Sequence, residues 1–259
     1  MQHSSKLAGR AAIVTGAARG IGLATARLLV ARGMTVTAFD LPDAPFDEVM
    51  SLGTMDAPVD RVGGDVTSSA DWERAVETAL ARRRRLDLVF NNAGIAGEIG
   101  SVFDYDEVAF DRVIDVNVRG VFLGTKYGGR AIRDAGRGGL IVNTSSVSGL
   151  TGSANIAAYS AAKHAVIGLT RTAAKELAPH RIRVNAVCPS PTETEMMHAA
   201  EERVAPGDRA AGKRAFASII PLGRYADPAE VAALVAYLAS DAAAFITGAA
   251  IPIDGGLTA

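Results

Sequence analysis

Cysteine and tryptophan occur once each in 259 residues, and aromatic residues make up only 5% of the chain. With Cys188 alone, no intrachain disulfide can form, and a reducing, cytoplasmic compartment is expected. Met1 to Lys6 carries no apolar export core and is expected to be a flexible tail. A surplus of either charge is also missing: 27 Lys and Arg stand against 28 Asp and Glu, for a net charge of −1, which excludes the electrostatic footprint of a nucleic-acid binder. The four histidines, His3, His164, His180 and His198, lack ligand spacing with carboxylates or cysteines, so no metal is expected. There is no purely apolar span either. The longest uncharged stretch, Gly138 to Ala162, is studded with Ser, Thr, Asn and Gly, so no membrane partner is expected. Such a stretch reads instead as a segment buried on both sides or lining a cleft.

What the chain has in excess is glycine, 27 residues, above the usual ~7%. The 49% hydrophobic and 21% charged fractions fit a globular protein and exclude disorder.

Apolar periodicity alternates along the chain. Ala11 to Val14 reads as a strand, and Ile21 to Ala31 as a helix with Gly33 in its C-cap turn. Thr35 to Phe39 is a β-branched strand ending in Asp40. Val59 to Val66 fits a third strand after an irregular stretch containing Pro42, Pro45 and Pro58. Ser69 to Ala81 reads as a helix, with Arg82 to Arg85 as its solvated end. Leu86 to Phe90 and Leu140 to Thr144 are strands separated by one long helical region from about Asp106 to Ala135. A helix over Ala157 to Ala178, a strand over Arg183 to Cys188, a helix over Pro228 to Ser240 capped by Asp227, and a strand over Ala250 to Ile253 complete the pattern. Beyond Pro189 the sequence turns polar and irregular. This alternation, without a composition break, predicts an α/β fold: a single doubly wound Rossmann-type domain over residues 1–259, with a parallel sheet of about seven strands and helices on both faces. Ligands of such sheets bind at the carboxyl ends of the strands, where the polar clusters of this chain fall.

Gly16, Gly20 and Gly22 follow the first strand in the spacing G-x-x-x-G-x-G. Glycines there let the backbone turn tightly, and the N–H groups opening the next helix, near Ile21, suit a pyrophosphate. Asp40 ends the second strand eighteen residues past Gly22, close to the ~20 at which an acidic residue meets an adenosine ribose. A carboxylate there accepts from both ribose hydroxyls and repels a 2′-phosphate, so NAD is the expected cofactor. Arg19, inside the loop, is the one residue suited to a 2′-phosphate instead. Asp65 and Val66 follow the third strand, where the adenine edge is expected.

Tyr159 has a lysine four residues on, Lys163. On a helix this pair shares a face, so the ammonium is expected to favour the phenolate and make a base usable near neutral pH. Ser146, thirteen residues earlier, closes a strand and can share a substrate oxygen with Tyr159.

These residues, together with Asn91-Asn92-Ala93-Gly94, Asn117 and Pro189 through Thr194, resemble the short-chain dehydrogenase/reductase family over essentially the whole chain. The resemblance implies hydride transfer between a nicotinamide and a carbinol or carbonyl carbon. It makes Tyr159 the general base in oxidation, with Lys163 lowering its pKa and binding the nicotinamide ribose. Ser146 would orient the substrate oxygen, and Asn117 would hold a water in a proton path. Asn92, Ala93 and Gly94 would floor the cofactor cleft; Pro189, Thr192 and Thr194 would contact the carboxamide. The family usually has Pro-Gly where this chain has Pro189-Ser190, which would strain Ser190 if φ there were positive. Cys188 reads as a core residue.

The stretch from about 192 to 221 resembles the family's mobile substrate lid. Met196 and Met197 in it, with Ile95, Val147 and Ser148, are candidate substrate-lining residues, none of them charged. The expected substrate is a small secondary alcohol or ketone, cyclic or aromatic. An NADPH-dependent reductase of 3-oxoacyl thioesters is the alternative; it fits Arg19 but not Asp40, and Arg203, Arg209, Lys213 and Arg214 are candidates for an acyl carrier protein patch. A non-catalytic dinucleotide sensor would need no proton relay, against which stand Asn117, Ser146, Tyr159 and Lys163. The final helix and the Asp254-Gly255-Gly256 tail resemble the family's tetramer-forming region, so a homotetramer is expected.

Overall fold

The computed structural model describes residues 7–259; the expected flexible tail, Met1 to Lys6, lies outside the described residues. Seven parallel strands form one sheet in the order β3-β2-β1-β4-β5-β6-β7. They are β1 (Ala11–Thr15), β2 (Thr35–Asp40), β3 (Val59–Gly63), β4 (Leu88–Asn91), β5 (Gly139–Thr144), β6 (Ile182–Pro189) and β7 (Ala250–Ile253). The order reverses between β1 and β4, so the loops after these two strands diverge and leave a crevice at their carboxyl ends.

Side chains alternate across the sheet and divide the core into two layers. On one face Ala12, Val14, Val36, Leu88, Val142 and Val187 pack with α1 (Gly20–Ala31) and α9 (Pro228–Leu238), through Leu29, Val231 and Val235. On the other, Ile13, Phe39, Val89, Ile141 and Val184 pack against Trp72 of α3 (Ser69–Arg83), Ile132 of α5 (Gly120–Asp134) and Ala173 of α6 (Ala157–Leu177). Trp72 is fully buried, stands edge-on to Phe39 with ring centroids 5.2 Å apart, and donates its indole N–H to the Val66 carbonyl at 2.9 Å. Asp227 caps α9 in a reciprocal capping box with Glu230, as Asp227 followed by Pro228 predicts.

The structure departs from the sequence expectations in four places. The irregular stretch after Phe39 contains a short helix, α2 (Asp47–Ser51). The long region before β5 is interrupted: α4 (Glu107–Ile114) and α5 are joined by a π-helical turn, Asp115–Arg119, which the 3.6-residue period does not resolve. The polar segment beyond Pro189 folds into α7 (His198–Val204) and α8 (Arg209–Ser218), which bury only Glu201 and Gly212 and so carry no apolar stripe to read. The arginines after α3 are more than a solvated end. Arg82 pairs with Asp60, Arg83 donates to Thr35 and Asp56, Arg84 adopts the left-handed C-cap conformation, and Arg85 pairs with Asp87.

Candidate active site

The glycine loop runs from β1 into α1. Gly16 and Gly20 have φ of 61° and 54°, a region other residues adopt rarely. A Cβ on Gly22 would overlap the Gly16 carbonyl, so the turn closes only with glycine there. The N-cap residue of α1, Arg19, makes no side-chain cap, and the first turn carries no acidic residue. Its amides therefore remain available to an anion. Arg19 instead pairs with Glu195 at 3.0 Å, across to the segment after β6.

Asp40 lies at the edge of this loop. Its carboxylate accepts from the Ala18 and Leu41 amides, each at 2.9 Å, which fixes its orientation at the end of β2. These residues fit a dinucleotide: a glycine cradle closed to any Cβ, an uncapped helix start, and an oriented carboxylate one strand away. Asp65 is exposed and accepts from the Thr67 amide at 2.8 Å, whereas Val66 is buried and packs into the α3–α5 layer.

Asn92 bolts the second wall to the loop, donating through Nδ2 to the Thr15 carbonyl at 3.0 Å, and the Asn92 and Ala93 amides both donate to Thr15 Oγ1. Thr15 thus organises both strand ends, a role the sequence pattern did not flag. Beneath it, a buried chain runs from Asn91 Nδ2 to Asn143 Oδ1 and from Asn143 Nδ2 to Thr170 Oγ1, tying β4, β5 and α6 together. No short motif announces it.

At Gly94 the loop meets the catalytic candidates, since a Cβ there would stand 2.9 Å from Asn117 Oδ1 and 3.6 Å from Lys163 Nζ. Asn117 sits in the π-helical turn, and its amide both accepts from the Ile95 N–H at 2.9 Å and donates to the Ile95 carbonyl at 2.8 Å. Its side chain is therefore occupied in fixing the loop. Ile95 itself packs with Val113, Ala158 and Ala162.

Tyr159 and Lys163 share a face of α6, with Nζ 5.3 Å from the ring centroid. Lys163 is buried and donates to the Thr144 carbonyl at 2.8 Å. Burial brings its pKa down to about 8. The lowering of the Tyr159 pKa expected from Lys163 is not what this arrangement gives. Burial raises the phenol above its ordinary value and the neighbouring Ser146 hydroxyl pulls it partway back, while the ammonium is directed at Thr144. Ser146 is held in turn, its Oγ accepting from the Ser148 N–H at 3.1 Å. Ser145 donates to the Lys163 carbonyl at 2.8 Å, and a Cβ on Gly149 would overlap Ser145 Oγ. Gly149 thus serves the packing of this turn on α6.

Beyond β6, Thr194 packs on the glycine loop, where a Cβ on Gly20 would come 3.1 Å from its methyl. Thr192 is buried, with its hydroxyl donated to the Ser190 carbonyl at 2.9 Å. The strain considered for Ser190 is absent, because its φ is not positive. Pro189 ends β6, its carbonyl 3.5 Å from Ser146 Oγ. Cys188 is buried, its thiol pushed up to about 11 by burial, as a core residue should be. Val147 and Ser148 are buried in the turn after Ser146, and Met196 is 44% exposed with Met197 half-buried beside it. Among the described residues no helix is long and apolar enough to cross a membrane.

A doubly wound sheet with a glycine cradle, an oriented strand-end carboxylate and a Ser-Tyr-Lys group at the same edge defines an oxidoreductase of the dinucleotide-binding class. The comparisons narrow this. A family model described as enoyl-(acyl carrier protein) reductase matches residues 16–258. Cyclohexanol dehydrogenase of Acinetobacter sp. (strain SE19) is 39% identical over 259 residues, covering 98% of this chain and 97% of that protein. The crystal structure of levodione reductase superposes with a TM-score of 0.91 at 36% identity, covering 96% of this chain and 97% of that one. NAD+-bound xylitol dehydrogenase gives 0.89 at 34% identity, covering 97% and 100%. The chain belongs to the short-chain dehydrogenase/reductase family, and it is a dehydrogenase/reductase of alcohols and ketones.

Proposed function

We propose that the protein is an NAD-dependent dehydrogenase of cyclic secondary alcohols, with Tyr159 as general acid/base. The observation that carries this is the placement of Tyr159 over the buried Lys163, with Ser146 acting on the same phenol, at the strand edge that also holds the glycine cradle. Bound NAD supplies the acceptor for the hydride leaving the carbinol carbon. Ser146 donates to the substrate oxygen and Tyr159 removes its proton in oxidation, returning it in reduction. Lys163, bridging to Thr144, holds positive charge beneath the phenol; Asn117 and Gly94 keep that pocket closed around it. Val147, Met196 and Met197 supply apolar, uncharged walls, and residues from about 192 to 221 act as a lid within one catalytic domain. The likeness to cyclohexanol dehydrogenase supports a ring-bearing substrate.

NAD is favoured over NADP by Asp40, whose oriented carboxylate repels a 2′-phosphate, while Arg19 is engaged by Glu195. Turnover with NAD should exceed that with NADP at least tenfold in kcat/KM. Asp40→Ala should raise the KM for NAD roughly tenfold, as expected from losing charge-assisted hydrogen bonds. A wild-type preference for NADP would overturn this assignment. The candidate carrier-protein patch does not favour the 3-oxoacyl alternative: Arg209, Lys213 and Arg214 pair with Glu201, Glu193 and Asp208 respectively.

The same proposal includes a homotetramer in a reducing, cytoplasmic compartment. Its supports are Val108, Phe110 and Phe122 on α4 and α5, and Tyr237 on α9, all large apolar groups left exposed, and, for the compartment, the single buried thiol. Sedimentation velocity should give one species of four chains at micromolar concentration, and a monomer would contradict it.

A further inference from the structure

The amino edge of the sheet, opposite the catalytic edge, carries a second cavity of about 260 Å³. It is lined by residues that precede or begin β1, β4, β5 and β6, and by the turn after α9. Five of its residues are arginines, Arg10, Arg85, Arg137, Arg181 and Arg183, against two carboxylates, Asp87 and Asp241.

The two carboxylates do not neutralise this charge. Asp87 is consumed by Arg85 and by the Ala11 amide at 2.8 Å. The side chain of Asp241 is 90% exposed and touches only the rim of the group, through Arg10 at 3.1 Å. Arg183 has no carboxylate partner among the described residues. It donates to the Ile246 and Leu238 carbonyls at 3.2 and 2.7 Å; burial and the nearby Arg10 disfavour its charged form, offset in part by the charge of Asp241. Arg10 likewise donates to the Ala239 carbonyl at 3.0 Å. Backbone carbonyls at the end of α9 therefore orient two guanidiniums without cancelling them. Arg137 and Arg181 add two exposed forks, Arg181 steadied by the Gly136 carbonyl at 2.5 Å.

Five arginines lining one small concave space, against two carboxylates, concentrate positive potential there. Their planar forks match tetrahedral oxyanions through paired hydrogen bonds. We propose that this cavity is a binding site for a small multiply charged phosphate-type anion, either an inorganic diphosphate or the phosphate tail of a nucleotide, separate from the dinucleotide cleft. An elongated polyanion is disfavoured by the size of the cavity and by the near-zero net charge of the chain.

Thermal unfolding of the full chain tests this, with saturating NAD and ionic strength held constant with KCl while inorganic diphosphate is titrated. The melting temperature should rise and saturate. Combining Arg137→Gln with Arg181→Gln should weaken the diphosphate midpoint at least tenfold with alcohol turnover unchanged, whereas Arg133→Gln, which removes one positive charge outside the cavity lining, should leave it in place. Should the double variant misfold, Arg137→Gln alone, an exposed substitution, should still weaken the midpoint severalfold. Because these arginines lie away from the glycine loop, the variant comparison holds whichever dinucleotide the enzyme uses. Repeating the titration with ATP identifies the source: tighter binding than diphosphate points to a nucleotide, equal or weaker binding to the free ion, and both support the site. No saturable rise, or the same midpoint in wild type and variants, would overturn it.

Discussion

Tyr159→Phe is expected to lower turnover by ~10²–10⁴-fold, the range supplied by a positioned general acid or base, and to leave NAD affinity essentially unchanged. The substitution removes one hydroxyl and keeps the ring that Lys163 lies over at 5.3 Å, so the pocket should keep its shape. Steady-state kinetics and NAD titration of the variant separate the two effects. Retained turnover would remove Tyr159 from the chemistry. A parallel loss of NAD affinity would mean that it mainly binds cofactor. The pH dependence has a definite sign. Oxidation needs the phenolate, which burial disfavours, so its rate should climb with pH from neutral into the alkaline range. Ketone reduction needs the phenol as donor and should stay level over that interval, slowing only as pH approaches the raised phenol value. Lys163, brought to about 8 by burial, loses its charge within the same alkaline interval.

Gly22→Ala should be nearly as damaging, by another route. The added methyl would overlap the Gly16 carbonyl, backbone against backbone, so the loop must open to admit it. Gly16 in turn faces Asn92 and Ala93, which are tied to Thr15, so opening would disturb both walls of the cleft. Overpacking of this kind costs up to ~3 kcal/mol, and if that falls on binding, NAD affinity drops by about 100-fold. Isothermal titration with NAD reads this directly. Unchanged affinity would show that the glycine loop does not hold the dinucleotide.

Much of the architecture was legible because the signals were local. The strands were short apolar runs ending in Asp40, Asn91 and Ser145, and buried parallel strands have that form. The start of α9 was written in two residues, Asp227 and Pro228. The π-helical turn at Asn117 was not legible: a 3.6-residue period does not resolve it, and the Asn117 amide contacts Ile95, twenty-two positions away in sequence. Helices α7 and α8 were missed because they bury only Glu201 and Gly212, where their backbones cross closely, and leave no apolar period to read.

The site was legible in its residue types and less so in its energetics. Spacing identified Ser146, Tyr159 and Lys163, and the structure brings them together. Spacing could not give the direction of the Tyr159 shift, which depends on burial and on where the Lys163 ammonium points. Nor could it reveal Thr15, a single strand-end threonine whose hydroxyl accepts two amides across a sheet neighbour.

The most direct test of the account is the near-ultraviolet absorbance of reduced nicotinamide when the purified protein is given cyclohexanol and related cyclic secondary alcohols with NAD or NADP. NADH should form with at least one cyclic alcohol, little NADPH should form with NADP, and the signal should be lost in Tyr159→Phe. NADPH oxidation with a 3-oxoacyl thioester, combined with no NAD-linked alcohol oxidation, would contradict it.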